Sequence, residues 1–295
     1  MNQDFVLALA LPVTLFLMMF SMGTTLSPAD FLALAERPRK VLVGLSAQLL
    51  LLPLLALGVL FSLPVSEEMY VGFVILALSP GGTTSNLFSY LADGNVALSI
   101  ALTAIVSVIA PFSLPIAANL LLADELSTGA FTLPVLPTVL RLLLITLLPV
   151  SLGMGLRYWQ RAWCLRHESV LTRLPFLMLM LVIAGIIAQN WKDMPVFFAQ
   201  TVGPALSMAT AALVLAYAYG RLALGDVRDA RTVAIETSIQ NGGTAMLVTG
   251  TILQNPGMTV APIMYGILML IPIFAYLAWR RLHARRYVRT PGAPG

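Results

Sequence analysis

Cysteine, histidine and charge are all scarce in this chain. Cys164 is the only cysteine among 295 residues, so neither an intramolecular disulfide nor a thiolate metal cluster can form. The two histidines, His167 and His283, sit in basic, loop-like stretches and read as solvated or headgroup-facing groups rather than metal ligands. Charged residues make up 10% of the chain. An intramembrane hydrolase or prenyl transferase would want an acid–base pair, a His-metal set or an Asp-rich motif, and none is visible, so an enzyme is not the expectation. The formal charge of +4 is concentrated in a few short loops and at the C-terminus, a pattern that orients membrane proteins rather than one that binds nucleic acid.

What the chain does have is apolar length. It is 59% hydrophobic, and runs of roughly 20 apolar residues, the span of a bilayer, recur along it. Short alternating segments of a β-barrel are missing. The fold class is therefore an all-α polytopic membrane protein, with nine segments at about 5–26, 41–62, 69–91, 96–121, 134–156, 174–190, 196–220, 231–253 and 259–280. The opening "MNQDFVLALALPVTLF" has no basic n-region and runs on through "LMMFSMGTTL" without a small-residue cleavage site, so it reads as a first span rather than a removed signal peptide.

The loops orient these spans. Arg37, Arg39 and Lys40 follow the first segment. Arg157, Arg161, Arg166 and Arg173 follow the fifth, Arg221, Arg228 and Arg231 surround the loop after the seventh, and Arg280, Arg281, Arg285, Arg286 and Arg289 follow the ninth. If nine spans alternate, all of these fall on one side, which the positive-inside rule makes cytoplasmic. The expected location is a cell (plasma or inner) membrane, crossed many times, with the N-terminus outside and the C-terminus inside. The tail "RRLHARRYVRTPGAPG" then reads as a stop signal and a disordered end. Arg141 lies inside the fifth span, where its long stem can snorkel to an interface.

Two segments are interrupted near their centres. The third reads "YVGFVILALSPGGTTSNLFSYLA". Pro80 lacks a donor and disfavours helix at Ser79, Gly81 and Gly82 weaken it further, and Thr83, Thr84, Ser85 and Asn86 offer N-cap chemistry for a restart. The eighth reads "RTVAIETSIQNGGTAMLVTGTIL", with Asn241-Gly242-Gly243 as the break and Thr244 placed to open its second half. The two Gly-Gly-Thr triplets lie in segments two to four and seven to nine, which enter the membrane from opposite sides. This is the pattern of an inverted-topology repeat with discontinuous helices, which in secondary transporters marks the binding site. Broken backbone at that depth must be buried in protein or face a water-filled cavity.

Glu236 is the carboxylate deepest in a span. A charge there costs about 2.5–3.5 kcal/mol on insertion scales, and its short side chain cannot snorkel. It needs a cation, a proton or a donor. Gln240 lies one turn on along the same face, and Asn241 opens the break. Carboxylate, amide and backbone oxygens suit a hard cation such as Na+ rather than a transition metal, and a protonatable Glu236 in a proton-coupled carrier would use the same residues.

"LSPGGTTSNLFSYLADGNVALSIALTAIVSVIAP" and "AIETSIQNGGTAMLV" resemble the two crossover motifs of the bile acid:sodium symporter family, and "MMFSMGTTLSPADF" and "RPRK" extend the resemblance over most of the chain. It implies that the chain starts at the second helix of ten-helix bacterial members. It also implies two domains: a panel helix and loop over 1–40, a first core repeat over 41–121, panel helices over 122–190, a second core repeat over 191–280 and a basic cytoplasmic tail over 281–295, with segments three and eight crossing. Two Na+ ions are implied. The first would be held by Ser85, Asn86, Ser99, Thr103 and Glu236, the second by Gln48, Glu236 and Gln240 with backbone oxygens of Thr237 and Ile239. Ser99 and Thr103 at i, i+4 share a helix face, as a joint ligand set demands.

For the substrate, helix N-termini restarting at Thr83 and Thr244 would offer N–H groups and a positive dipole end to a carboxylate, with Thr83, Thr84, Asn241, Gly242 and Thr244 around it. The expectation is thus a Na+-coupled symporter of an organic anion, bile-acid-like or smaller, working by alternating access. Its partners would be the anion, Na+ and the bilayer, with no nucleic acid and no obligate protein partner.

Overall fold

The computed structural model describes residues 9–26, 37–82, 84–127 and 132–288, the side chains of 283–288 excepted. Thr83, Arg289 and the Pro/Gly-rich end lie outside the described residues. The described chain is almost entirely helical, with no strand beyond one isolated bridge. Six helices are long and apolar enough to cross a membrane: α2 (Pro38–Ser62), α5 (Val96–Leu121), α6 (Val135–Trp159), α7 (Arg161–Gln189), α8 (Met194–Leu224) and α11 (Pro256–Leu282). α1 (Leu11–Thr25) is shorter and apolar. Two interrupted pairs complete the set: α3 (Glu67–Leu78) with α4 (Ser85–Leu91), and α9 (Val227–Ser238) with α10 (242–252).

Local chemistry sets the ends. Ser66, Asn95, Asp226 and Asn255 each accept a first-turn N–H at the start of α3, α5, α9 and α11, meeting orphan donors that would otherwise face the membrane edge. Glu67 and Glu68 add negative charge at the first turn of α3, matching its dipole. Within α2 and α6 a widened π-turn, Ala47–Leu51 and Leu143–Leu147, falls just before Pro53 and Pro149. Each proline lacks the N–H for the preceding turn and crowds its carbonyl, so the backbone opens there. In α2 this bulge carries Gln48.

α7 begins at Arg161, well before the expected 174, because nothing breaks the chain between the arginine-rich stretch and Asn190. Pro175 is accommodated inside the helix. Arg141 is exposed on α6 and His167 is half-buried on α7, its ring stacked on Trp163 at 4.6 Å.

The distribution of side chains is inverted relative to a water-soluble protein. α7 shows Leu174, Leu177 and Leu181 outward, whereas the least apolar of these helices, α9, buries Asp229, Thr232, Glu236, Thr237 and Ser238. An apolar exterior of this extent is at home only in lipid. α1 packs chiefly on α6 and α7, while α8 packs on α9 and α11, and α3 packs on α11. α3, α9 and α10 therefore lie largely inside, while α4 keeps Leu87 and Tyr90 exposed.

Candidate functional site

Both interruptions meet at one point. α3 ends at Leu78 and α9 at Ser238, and the extended residues that follow run antiparallel, with Gly81 bridged to Gln240. Gly82 N–H donates to the Ile239 carbonyl at 2.9 Å, and Asn241 N–H donates to the Pro80 carbonyl at 2.9 Å. Each break thus satisfies backbone groups exposed by the other, which is what an irregular backbone at this depth requires. The buried Tyr265 hydroxyl donates to the Ser238 carbonyl at 2.8 Å and closes the end of α9. No sequence pattern pointed to Tyr265, since its partner is a backbone group of another helix.

Glu236 lies on the inner face of α9, 1% exposed. Its Oε1 accepts from the Ser85 hydroxyl at 2.6 Å and from the Ser99 hydroxyl. The Thr103 hydroxyl lies 2.9 Å from Oε2 and 3.1 Å from Oε1. Four of the five residues expected around a first cation are therefore together. The fifth, Asn86, has a buried Oδ1 with no hydrogen-bond partner and lines the adjoining cavity instead of touching Glu236.

The second group also converges. A side chain at Gly81 would begin 2.8 Å from Gln48 Nε2 and 2.9 Å from Glu236 Oε2, so the Gln48 amide and the carboxylate flank the same glycine. Gln48 is 1% exposed and neither its Oε1 nor its Nε2 has a partner. Gln240 Nε2 donates to the Thr237 carbonyl at 2.9 Å, which leaves Gln240 Oε1 buried and unpartnered. The Thr237 and Ile239 carbonyls each accept one hydrogen bond and retain a second lone pair. Buried amide oxygens without partners beside a carboxylate are unfavourable on their own. An oxygen-coordinated hard cation is the species that this donor set fits.

The groups expected around an anion are arranged differently from the sequence expectation. The second restart is at Gly242, capped by Asn241, whose Oδ1 accepts from Thr244 N–H at 3.1 Å. The Thr244 N–H is thus already paired, and the Thr244 hydroxyl is buried and unpartnered in a cleft beside Pro80 and Met19. The first restart is at Ser85, directly after Thr84. Thr84, Gln240, Asn241 and Gly242 line a cavity of about 390 Å3 whose other walls are mostly apolar, Phe176, Met180 and Ile267 among them. Through Met18, Thr84, Leu87 and Phe176 it adjoins a second cavity of about 600 Å3, which reaches Glu168, Thr172 and Arg173 at the arginine-rich end.

The sequence model of the Sodium Bile acid symporter family matches residues 12–200. The chain belongs to that family. This symporter-family chain is 28% identical over 235 residues to an uncharacterized sodium-dependent transporter, YocS, of Bacillus subtilis (strain 168), covering 78% of this chain and 71% of that one. It is 26% identical over 296 residues to the ileal sodium/bile acid cotransporter of Oryctolagus cuniculus, covering 97% and 84%. It is 27% identical over 239 residues to the probable sodium/metabolite cotransporter BASS2, chloroplastic, of Oryza sativa subsp. japonica, covering 81% of this chain and 56% of that protein. The family match takes in the first interruption, and the similarity to the ileal cotransporter extends through the second.

Proposed function

We propose that this chain is a secondary active transporter that couples Na+ to the symport of an organic anion by alternating access. The observation that carries the reading is the cluster at the crossing: Glu236 on α9 gathers hydroxyls from α4 and α5, with the unpartnered amides of Gln48 and Gln240 beside it. One ion takes Ser85, Ser99, Thr103 and Glu236, with Asn86 turning in from the cavity wall. A second takes Gln48, Glu236, Gln240 and the carbonyls of Thr237 and Ile239. Both ions join residues from the two interrupted pairs, so binding them fixes the crossing and with it the backbone at Asn241 and Gly242. Coupling is then a difference in anion affinity between the Na+-loaded and Na+-free crossing, and it is reciprocal.

The anion lies in the cavity lined by Thr84, Asn241 and Gly242. The apolar walls favour an amphipathic carboxylate over a compact, fully polar one. The interrupted pairs count as one span each, giving nine, with the arginine-rich end cytoplasmic. α1, α6 and α7 form the panel, and the remaining helices form the core that moves against it. The extensive packing of α1 against α6 and α7 supports this division, with α6 also meeting α5.

The test is uptake into proteoliposomes of organic anions ranging from small carboxylates to steroid acids. An inward Na+ gradient is expected to drive accumulation of at least one of them, with no requirement for a pH gradient. Accumulation driven by a proton gradient without Na+ would overturn the coupling ion.

A further inference from the structure

One buried charge takes no part in the site described. Asp229 lies on α9, two turns before Glu236, and is 1% exposed. Asn95 Nδ2 donates to its Oδ1 at 2.8 Å, and Lys40 Nζ lies 2.5 Å from its Oδ2 with the lysine side chain 29% exposed. One turn further along α9, the Thr232 hydroxyl receives the Asn95 N–H at 2.8 Å and donates to the Asn95 carbonyl at 3.1 Å. Gly94 is pressed so closely here that a Cβ would begin 2.7 Å from that hydroxyl. Asn95, which also caps α5, is thus held by three side-chain and backbone bonds to α9.

The spacing gives this clamp a consequence. α5 and α9 start at the same end of the molecule and run side by side. On α5, Asn95, Ser99 and Thr103 follow at intervals of four. On α9, Asp229, Thr232 and Glu236 follow at three and four. Both sets are single helix faces, and they are matched, Asn95 to Asp229 and Thr232, Ser99 and Thr103 to Glu236. A slip of one residue shifts a helix by about 1.5 Å and turns its face by about 100°, enough to take both hydroxyls off the carboxylate. We infer that Asp229, clamped by Asn95 and Lys40, is a positioning residue that holds the register between α5 and α9 and thereby sets the Na+ affinity of the Glu236 cluster. This rests on the Na+ reading of that cluster.

The measurement is thermal stabilisation of the purified full-length protein titrated with NaCl against choline chloride. Outer residues that orient ion ligands typically change affinity by about 10–100-fold when removed, so Asp229→Ala is expected to raise half-saturating Na+ by at least about tenfold. Asp229→Asn, whose amide oxygen still accepts from Asn95, recovers most of the loss. The half-saturating anion concentration at saturating Na+ stays at the wild-type value. If Asp229→Ala does not yield folded protein, Thr232→Val and the paired Lys40→Met/Asp229→Asn variant carry the same comparison. Thr232→Val is expected to weaken Na+, and the uncharged pair to retain it. A responsive wild type with Asp229→Ala merely less stable, and its half-saturating Na+ unchanged, overturns the inference alone. A wild type with no Na+ response overturns the Na+ reading and the inference with it.

Discussion

The two interrupted helices share a backbone plan and divide the chemistry. Aligned on their Gly-Gly-Thr triplets, Pro80 falls opposite Asn241, Ile75 opposite Glu236 and Glu68 opposite Asp229. Before its break, α3 buries almost only apolar side chains, Val71, Phe73 and Ile75 among them, whereas α9 buries Asp229, Thr232 and Glu236. The first pair contributes a hydroxyl from its restarted half, Ser85, and the second contributes the charge. Both helices break at a Gly-Gly pair and their backbones meet there, but only one of them brings a carboxylate to the meeting point. One carboxylate between two oxygen-rich groups is easier to bury than two facing each other, because like charges in a low-dielectric interior cannot both stay ionised.

That asymmetry can be broken first at the glycines. A Cβ at Gly81 meets Gln48 and Glu236, whereas one at Gly242 meets only the Pro262 carbonyl, at 3.1 Å. Gly81→Ala overpacks the cluster by about 1–3 kcal/mol, which at about 1.4 kcal/mol per tenfold raises half-saturating Na+ by about five- to a hundredfold. Gly242→Ala is expected to leave Na+ affinity near wild type and weaken the anion instead, read by titrating each ligand in uptake assays. Next comes the closure of α9, for which α3 has no side-chain counterpart among the described residues. Tyr265→Phe strands the buried Ser238 carbonyl and costs about 1–3 kcal/mol of stability, seen as a lower Tm, while Ser79→Ala at the end of α3 removes only a hydroxyl bonded within its own helix and changes Tm little.

A smaller effect is expected at the caps. Asp226 caps α9 and is held below the usual carboxylate range by the Asp229 N–H and, in addition, by the Arg228 N–H. A depressed folded-state value means that its contribution is present at neutral pH and is lost as pH falls through that depressed value. Asp226→Ala therefore costs about 1 kcal/mol at pH 7, a difference that shrinks in strong acid, which thermal melts against pH would follow. The smallest concerns Asp93, on the turn after α4, lowered by its hydrogen bond to Arg280. Asp93 is largely exposed although the Arg280 side chain is mostly covered, so Asp93→Asn is expected to cost no more than about 0.5 kcal/mol, and less at high salt.

Much of this was legible from residue type and spacing, and the remainder was not for identifiable reasons. Pro80 with two glycines, and Asn241 with two more, announce breaks because those residues cannot continue a helix cheaply. Ser99 and Thr103 announce a shared face by their interval, and both meet Glu236. The backbone bridge between Gly81 and Gln240 is invisible in a linear pattern, because it is made of peptide groups common to every residue. Asn241 rather than Thr244 caps α10, since an Asn at the break accepts the N–H three residues on and a Thr inside the first turn cannot. Lys40 read only as a topological charge. Its partner Asp229 is far away in sequence, and only the fold makes the pair. The start of α7 differs from the expected 174 because arginines suggest a loop where they line an exposed helix.

Whether the Glu236 cluster binds Na+ is decided by equilibrium binding of radiolabelled Na+ to the purified protein and to its Glu236→Ala variant, with no anion present. The wild type is expected to bind Na+ saturably, and the variant not at all at the same Na+ concentrations. Saturable binding that survives in Glu236→Ala with unchanged affinity would rule out Glu236 as the ligand.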